Sequence, residues 1–294
     1  VVIPLEQLGA YTRAVERINI EQSISSKLRS LAALEAYFNG DMAEIRKAKD
    51  YEDSSEDQAI VAAKRAAALA LIEDTRQRWE SLLRLLDDDA ALHPELLDAP
   101  AAAALQPEET LIDLLLRGAL RVSYRERVGR PLEALFAGDA FNALRERIRE
   151  IHAEHKRARL FVALHMHAGD GNIHTNIPVL SSNHRMLHEA DGVVDRIMAI
   201  ALELGGVISG EHGIGITKMR WLEPEKIAAF ARYKAEVDPG NVFNPGKLLA
   251  GSGLDNAYTP SLQLVEQEAL LLEASELGEL NREIKDCLRC GKCK

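Results

Sequence analysis

Residues 165–176 read HMHAGDGNIHTN, two β-type runs on either side of a glycine–aspartate–glycine. Asp170–Gly171 is a pair favoured in two-residue type I′ hairpin loops, whose central residues both need positive φ. A loop centred on this pair places His167 directly opposite His174 across the two strands. Opposed side chains of an antiparallel pair have Cβ atoms ~4.5–5.5 Å apart. The sequence therefore predicts a β-hairpin with two neighbouring imidazoles.

The same hairpin separates polar from apolar side chains. His165 and Asn176 fall on the face of the paired histidines, because side chains alternate along a strand. Met166, Ile173 and Ile177 fall on the opposite face and are expected to point to the core. Two facing neutral imidazoles can hold a divalent metal. The alternative interpretation is that these histidines are ordinary core or surface residues and that GDG is only a common turn.

A second motif, SGEHGIG at residues 209–215, adds a carboxylate and another imidazole. Glu211 and His212 lie between glycines, which allow a backbone to approach a ligand closely. Because adjacent side chains on an extended segment point to opposite sides, the simplest division assigns Glu211 to the metal and His212 to proton transfer. Two histidines and one carboxylate leave coordination positions open for substrate, as in catalytic metal sites. Ordinary turn chemistry is the alternative for this motif.

The remaining sequence predicts an α+β fold. Residues 6–116 carry alanine-rich helical patterns that we interpret as scaffold, with an acidic, proline-containing loop at 87–109. Over residues 141–250 the pattern runs helix, strand, strand, helix, strand, helix, and the helix after 183 closes at Gly205–Gly206. This order predicts helices on one face of an antiparallel sheet. Residues 251–294 read as a flexible linker and a short helical stretch.

The three cysteines of the chain all lie near its end, in the sequence CLRCGKCK. The spacing of Cys287, Cys290 and Cys293 is the opening of the bacterial ferredoxin run, whose fourth cysteine would fall beyond Lys294. We therefore expect an iron–sulfur cluster of the [4Fe–4S] type. Three thiols in a disordered tail, or half of a zinc site, are the alternatives. Since no cysteine is left for a disulfide elsewhere, the pattern favours a reducing compartment such as the cytoplasm.

Composition excludes several classes of partner. The hydrophobic fraction of 47% and the charged fraction of 28% are typical of globular proteins. A net charge of −10 argues against nucleic acid or an anionic membrane surface as the main partner. No apolar run approaches the ~20 residues of a transmembrane helix, and VVIPLEQLG lacks the features of a signal peptide. Peripheral association with the inner face of a membrane and formation of a homodimer are left open.

HAGDGNIH, SGEHGIG and VDPGNVFNPGKLL occur here in this order. Together they resemble the C-terminal substrate domain of FAD-linked oxidases in the vanillyl-alcohol oxidase/PCMH superfamily. Within it the chain is most similar to D-2-hydroxyacid dehydrogenases of the D-lactate, D-2-hydroxyglutarate and glycolate oxidase D-subunit types. The resemblance implies a ferredoxin-like α+β domain over 1–250, with a helical insertion at about 41–140. It further implies that 251–294 are a linker and the truncated start of a ferredoxin-like domain.

The resemblance also implies roles for individual residues and cofactors. The expected metal ligands, with zinc as the expected ion, are His167, His174 and Glu211. His212 corresponds to the base that removes the hydroxyl proton, and Asn176 to a substrate contact. Asn244 of the NPGK turn corresponds to a residue near the flavin ring, although the turn by itself could be a simple helix stop. FAD is expected to be held mainly by an N-terminal domain missing from this chain, so the chain alone is expected to be inactive.

The implied reaction is the oxidation of a small D-2-hydroxy acid to the 2-oxo acid. Electrons would pass through FAD to the iron–sulfur cluster and on to an electron acceptor that the sequence does not identify.

Two departures from the family pattern are Met166, where many relatives have glycine, and His165, an additional imidazole. One alternative is a metal-dependent hydrolase, because His165-x-His167 also resembles paired ligands of amidohydrolases. The cysteine run argues against it. A non-catalytic electron-transfer scaffold is the other alternative.

Overall fold

The computed structural model describes residues 1–45, 54–180, 183–215 and 218–249. The linker and cysteine motif predicted within 251–294 lie outside the described residues. The described elements follow in the order α1 (Leu8–Asn39), α2 (Ser55–Arg84), α3 (Ala99–Ala104), α4 (Leu111–Leu116), α5 (Arg130–Leu135), α6 (Asn142–Arg157), β1 (Ala163–His167), β2 (Asn172–Asn176), α7 (His184–Glu203) and α8 (Pro224–Val237). Helices together with an antiparallel pair of strands confirm the predicted α+β class.

The chain divides into two compact units. One unit, here called the hairpin unit, consists of Val1–Val15 and the described residues from Val162 onward. The other, the helical unit, consists of Glu16–Phe161. The helical insertion predicted at about 41–140 falls inside the helical unit, and the proposed domain boundaries themselves stay a prediction.

Local sequence explains where the helices of the helical unit begin. Ser54 caps α2 by accepting a hydrogen bond from the backbone N–H of Asp57, as is typical of serine at this position. Thr110 and Asp113 form a reciprocal capping box at the start of α4. Asp98 caps α3, so the loop predicted over 87–109 contains one helix as well as two 3-10 turns, Ala90–Leu92 and Pro94–Leu96.

The helical unit has an extensive apolar core. Trp79 of α2 is 2% exposed, and Phe38 of α1 and Phe136 after α5 are fully buried. The rings of Phe38 and Phe136 stack with centroids 5.6 Å apart and an interplanar angle of 10°. Full burial of one such side chain stabilises a fold by about 1.5–3 kcal/mol. The scaffold that the alanine-rich pattern predicted therefore has a core of large side chains between its helices.

Strands β1 and β2 form the predicted hairpin with a different register. His165 lies opposite His174, and His167 lies opposite Asn172, so the expected pairing of His167 with His174 is wrong. The reason lies in the loop. The N–H of Asp170 donates to the carbonyl of His167 at 3.1 Å, and the Asp170 carboxylate accepts from the N–H of Asn172 at 3.0 Å. Only Gly171 of the loop has positive φ, at 73°, so this is a four-residue loop and not a type I′ turn.

Residues near the start of the chain extend this sheet. Val2 bridges Asn172 on one side and Val207 on the other. Its N–H donates to the carbonyl of Val207 at 2.9 Å, and the N–H of Val207 donates back at 2.8 Å. The third predicted strand, GGVISG at residues 205–210, is thus reduced to a single bridge at Val207. The strand is short because the chain turns directly after this residue. Ser209 Oγ donates to the carbonyl of Gly213 at 2.6 Å across that turn.

Helix α7 supports the turn that follows it. Asn183 caps its start by accepting from the N–H of Met186. At its end the N–H of Gly205 donates to Leu202 and the N–H of Gly206 donates to Ala201, which is the pattern of a Schellman motif. Gly205 has a φ of 73°, and the predicted closure at Gly205–Gly206 is confirmed.

Candidate metal centre and active site

Three histidines of the hairpin lie on one face. The ring centroids of His167 and His174 are 5.7 Å apart, and that of His165 is 6.0 Å from each of them. The register correction does not alter this grouping, because a shift of two residues leaves every side chain on its original face. The hairpin therefore gathers imidazoles as predicted, with a different pair directly opposed.

Gly210 allows the second motif to reach the hairpin. A Cβ atom at Gly210 would lie 2.7 Å from Asn172 Oδ1 and 2.8 Å from Val2 Cγ2, so a larger residue would force these side chains to move. This close approach places the next residue beside β2, where Glu211 Oε1 is 2.8 Å from His174 Nε2. The glycine therefore packs against the side chains of Asn172 and Val2, whereas the sequence suggested a close approach to a ligand.

The structure brings the three predicted metal ligands together. His167, His174 and Glu211 each offer one ligand atom, and these atoms all lie within 4.8 Å of one another. Zinc ligands lie about 2.0–2.2 Å from the ion, so any two of them are at most about 4.4 Å apart. Small side-chain movements would close the cluster on one ion. Two imidazoles and one carboxylate suit zinc or a related transition metal better than magnesium or calcium, which prefer oxygen ligands.

His212 lies next to this cluster and outside the set of three. Its Nε2 is 3.4 Å from Glu211 Oε1, and its ring centroid is 5.0 Å from that of His174. The side chain is 70% exposed. An exposed imidazole beside a potential metal site is placed to exchange a proton with a bound ligand and then with water.

A cavity of about 330 Å³ opens at this position. It is lined by the predicted residues His174, Asn176, Glu211 and His212, and by Asn172 and Lys218, which the sequence reasoning missed. Burial lowers the pKa of Lys218. Asn172 belongs to the GDGN motif. Lys218 follows His212 by only six residues, and a lysine so near the motif is a sequence signal for a group that could bind an acidic substrate.

Asn244 lines a different cavity. This second cavity measures about 530 Å³ and is lined mostly by α8 and the segment that follows it, including the 72%-exposed Phe243. Asp238 holds that segment by accepting from the N–H groups of Val242 and Phe243 and from Lys234 Nζ at 2.7 Å. The Lys234 hydrogen bond, followed by the bond from Val242, keeps the pKa of Asp238 below its ordinary value. Apolar walls with an amide suit part of a flat cofactor.

Of two further predicted features, His165 can be placed in the structure and the cysteine motif cannot. His165 contacts the other imidazoles through its ring but is not a member of the three-ligand cluster. Cys287, Cys290 and Cys293 lie outside the described residues. Within the described ranges, no helix has the length and apolar character required to cross a membrane.

Comparison with known proteins agrees with the motifs. Residues 136–248 match the family model described as FAD linked oxidases, C-terminal domain. This segment contains the hairpin, the EHG motif and the NPGK turn, so it is similar to the C-terminal domain of FAD-linked oxidases over the motifs on which the resemblance was based. No solved structure matches the chain.

The relatives are named oxidoreductases. The chain is 41% identical over 88 residues to the glycolate oxidase subunit GlcD of Bacillus subtilis, covering 29% of this chain and 19% of that protein. It is 31% identical over 156 residues to a D-lactate dehydrogenase of Archaeoglobus fulgidus, covering 52% of this chain and 33% of that protein. A mitochondrial D-lactate dehydrogenase [cytochrome] of Arabidopsis thaliana is 39% identical over 87 residues, or 28% of this chain and 15% of the relative. The matches thus span a third or less of each relative's length.

Proposed function

We propose that this chain supplies the substrate-binding and proton-transfer part of a FAD-linked oxidoreductase that oxidises a small D-2-hydroxy acid to the 2-oxo acid. The observation that carries the proposal is the convergence of His167, His174 and Glu211 within 4.8 Å, with the imidazole of His212 beside them. The names of the relatives, a glycolate oxidase subunit and D-lactate dehydrogenases, support the class of substrate.

The proposed metal ligands are His167, His174 and Glu211, and the proposed ion is zinc. A cation held by them would polarise the substrate hydroxyl and lower its pKa. Glu211 Oε1 is 2.8 Å from His174 Nε2, so without a cation the carboxylate holds the imidazole in place. Two of the three ligands are therefore positioned before any ion binds, which reduces the free-energy cost of ordering them.

His212 is the proposed general base. Its Nε2 lies 3.4 Å from Glu211 Oε1, so the carboxylate can stabilise the imidazolium after the ring takes the hydroxyl proton at Nε2. Asn176 and Lys218 line the same cavity. The amide of Asn176 is proposed to contact the substrate, and the ammonium of Lys218 to bind its carboxylate. A cavity of about 330 Å³ suits a small acid.

Asn244 is the proposed contact with FAD, most of which we expect another domain to bind. When bound, flavin supplies the acceptor for the hydride that leaves the α-carbon. Cys287, Cys290 and Cys293 are proposed to begin the [4Fe–4S] site that receives the electrons. In this scheme residues 1–250 form the substrate domain with its helical insertion, and residues 251–294 lead into a ferredoxin-like domain.

Zinc titration of the metal-free chain tests the metal site. Because thiolates also bind zinc, the titration uses a variant in which the three cysteines are replaced by serine. We expect one zinc ion per chain by calorimetry. His174→Ala should weaken binding by more than about 100-fold, beyond the 10–100-fold typical of losing an outer-shell partner.

His188→Ala is the matched control, since His188 is an exposed histidine on α7. It should leave zinc affinity unchanged. Equal zinc affinity in His174→Ala and His188→Ala would contradict the proposed site. The proton-transfer role is tested in the full-length oxidoreductase. There His212→Asn should abolish oxidation of glycolate or D-lactate while the metal content stays at the wild-type level.

A further inference from the structure

A second cluster of charged and polar side chains lies around a cavity in the helical unit. A cavity of about 360 Å³ is bordered by four arginines and by Glu133, Tyr124 and His152. The arginines come from the segment before α5 and from α5 and α6, and they are Arg125, Arg130, Arg145 and Arg149. Four guanidinium groups around one cavity are unexpected in a chain of net charge −10.

Among the residues that the structure describes, two of these arginines have no carboxylate partner. Arg145 donates to neutral acceptors, the carbonyls of Phe136 and Gly138 and the side-chain oxygen of Asn142. Arg125 forms no ion pair within the described part of the chain. The positive charge of these two guanidinium groups is therefore not neutralised by an acidic residue of the described ranges.

The other two arginines pair with exposed glutamates. Arg130 pairs with Glu126 at 2.5 Å, and Arg149 pairs with Glu133 at 3.3 Å and with Glu146 at 3.1 Å. All of these side chains are about half exposed or more. Exposed ion pairs of this kind contribute little to stability. An anion with more negative charge in the cavity can therefore compete with the glutamates for Arg130 and Arg149.

One wall of the cavity is a stacked pair of rings. Tyr124 and His152 lie parallel with centroids 3.5 Å apart and an interplanar angle of 3°. Tyr124 is only 8% exposed, and in the described part of the chain neither its Oη nor His152 Nδ1 has a hydrogen-bond partner. Buried polar atoms without partners are rare, because they cost free energy that a partner would offset.

The backbone at this wall is also unusual. Residues Arg125–Gly129 form a π-helical turn directly after Tyr124. Such turns occur mostly as short insertions in helices and frequently at functional sites. The turn places Arg125 and Gly129 at the same cavity as the Tyr124 ring. A Cβ atom added at Gly129 would lie 3.7 Å from Tyr124 Cε1, so the turn packs against the ring.

We propose that this cavity binds a small anion with several clustered oxygens, of the pyrophosphate or tricarboxylate class, through Arg125 and Arg145. Guanidinium groups bind phosphate and carboxylate oxygens in fork geometry, and a single ligand with clustered negative charge can contact several of the four arginines. The site is separate from the candidate metal centre and does not depend on the proposed function.

Calorimetry on the full chain tests the site. Metal is first removed with a chelator that is then dialysed away, and inorganic pyrophosphate and citrate are titrated separately at low ionic strength. We expect one site with an affinity in the micromolar to low millimolar range for at least one of the two probes. Binding of pyrophosphate alone assigns the site to phosphates, and binding of citrate alone assigns it to carboxylates.

Arg125→Gln should weaken binding at least about tenfold, because it removes a hydrogen bond to a charged group. Arg125 is exposed, so this variant should fold. Arg121→Gln removes an exposed arginine outside the cavity and should bind like wild type, as should His174→Ala. No binding of either probe, or equal weakening by Arg121→Gln and Arg125→Gln, would overturn the proposal.

Discussion

The helical unit and the hairpin unit use their residues in different ways. In the helical unit, large apolar side chains such as Trp79 and Phe38 are buried between helices. In the hairpin unit, two strands of five residues each and one glycine-rich turn hold histidines and a glutamate that are at least partly exposed. The stability of the helical unit depends on the apolar area that it buries. The arrangement of the site in the hairpin unit depends on the backbone geometry at a few glycines.

This difference explains why short motifs identified the site and not the scaffold. A glycine that must occupy a particular backbone conformation leaves a local signal in the sequence. A helical core leaves only a periodic pattern that many sequences share. We therefore expect substitutions in the core of the helical unit to change stability without changing metal affinity, and substitution of Gly171 in the hairpin loop to change metal affinity as well.

The largest effect should come from the core of the helical unit. Trp79→Ala should lower the free energy of unfolding by about 3–5 kcal/mol, because it opens a cavity where a 2%-exposed side chain was packed. Urea denaturation followed by circular dichroism measures this. Zinc affinity should be unchanged under conditions where the variant stays folded.

Ile60→Ala on the same helix is the control for Trp79→Ala. Ile60 is 45% exposed, so its substitution should change the unfolding free energy by no more than about 0.5 kcal/mol. If the two variants are equally stable, the helical unit is not held by the core described here.

Gly171→Ala should affect the hairpin unit. Gly171 has a φ of 73°, and a Cβ atom there would lie 2.1 Å from the carbonyl oxygen of Ile3. The left-handed conformation alone costs about 1–2 kcal/mol for alanine, and the clash adds to it. Both the free energy of unfolding and the zinc affinity should fall, as measured by urea denaturation and calorimetry.

Gly192→Ala is the control, and its expected effect on the free energy of unfolding has the opposite sign to that of Gly171→Ala. Gly192 lies on α7 with nothing within 4 Å of an added Cβ, so alanine should stabilise the chain by about 0.5–1 kcal/mol. Zinc affinity should stay at the wild-type value. A Gly171→Ala protein with wild-type stability and zinc affinity would show that the loop does not hold the site.

A smaller, pH-dependent effect is expected at Asp238. Lys234 and two backbone N–H groups hold the pKa of this carboxyl below its ordinary value of 3.8. A lowered pKa in the folded state stabilises the fold above the ordinary value, and the contribution is lost as the pH falls through the lowered pKa. Asp238→Asn should therefore have a lower Tm than wild type at neutral pH, with the difference narrowing below pH 3.8.

Glu236→Gln, an exposed position on α8, is the control for this measurement and should show wild-type Tm values throughout. A difference between Asp238→Asn and wild type that stays constant down to acidic pH would contradict the assigned cause.

The sequence predicted the face of the hairpin better than its register. His167 and His174 were placed on one face because residue spacing alone decides the face. Their direct pairing was wrong, because the Asp170 carboxylate accepts from the N–H of Asn172 and enlarges the loop. A side chain that bonds to the backbone of its own loop competes with the usual two-residue turn.

Other features depend on contacts distant in sequence. Nothing local indicates that Val2 lies between Asn172 and Val207, or that Lys218 shares a cavity with His174. Helix α3, in contrast, had local signals in the Asp98 cap and in Pro100 within its first turn. It was missed because the prolines were interpreted as loop residues.

X-ray absorption at the zinc edge tests the central claim most directly, using the zinc-loaded chain with its cysteines replaced by serine. We predict a ligand shell of two imidazoles and one carboxylate at about 2.0–2.2 Å. The shell should be unchanged in His165→Phe and should lose one imidazole in His167→Phe. A shell without histidine, or one that loses an imidazole in His165→Phe and not in His167→Phe, would contradict the account.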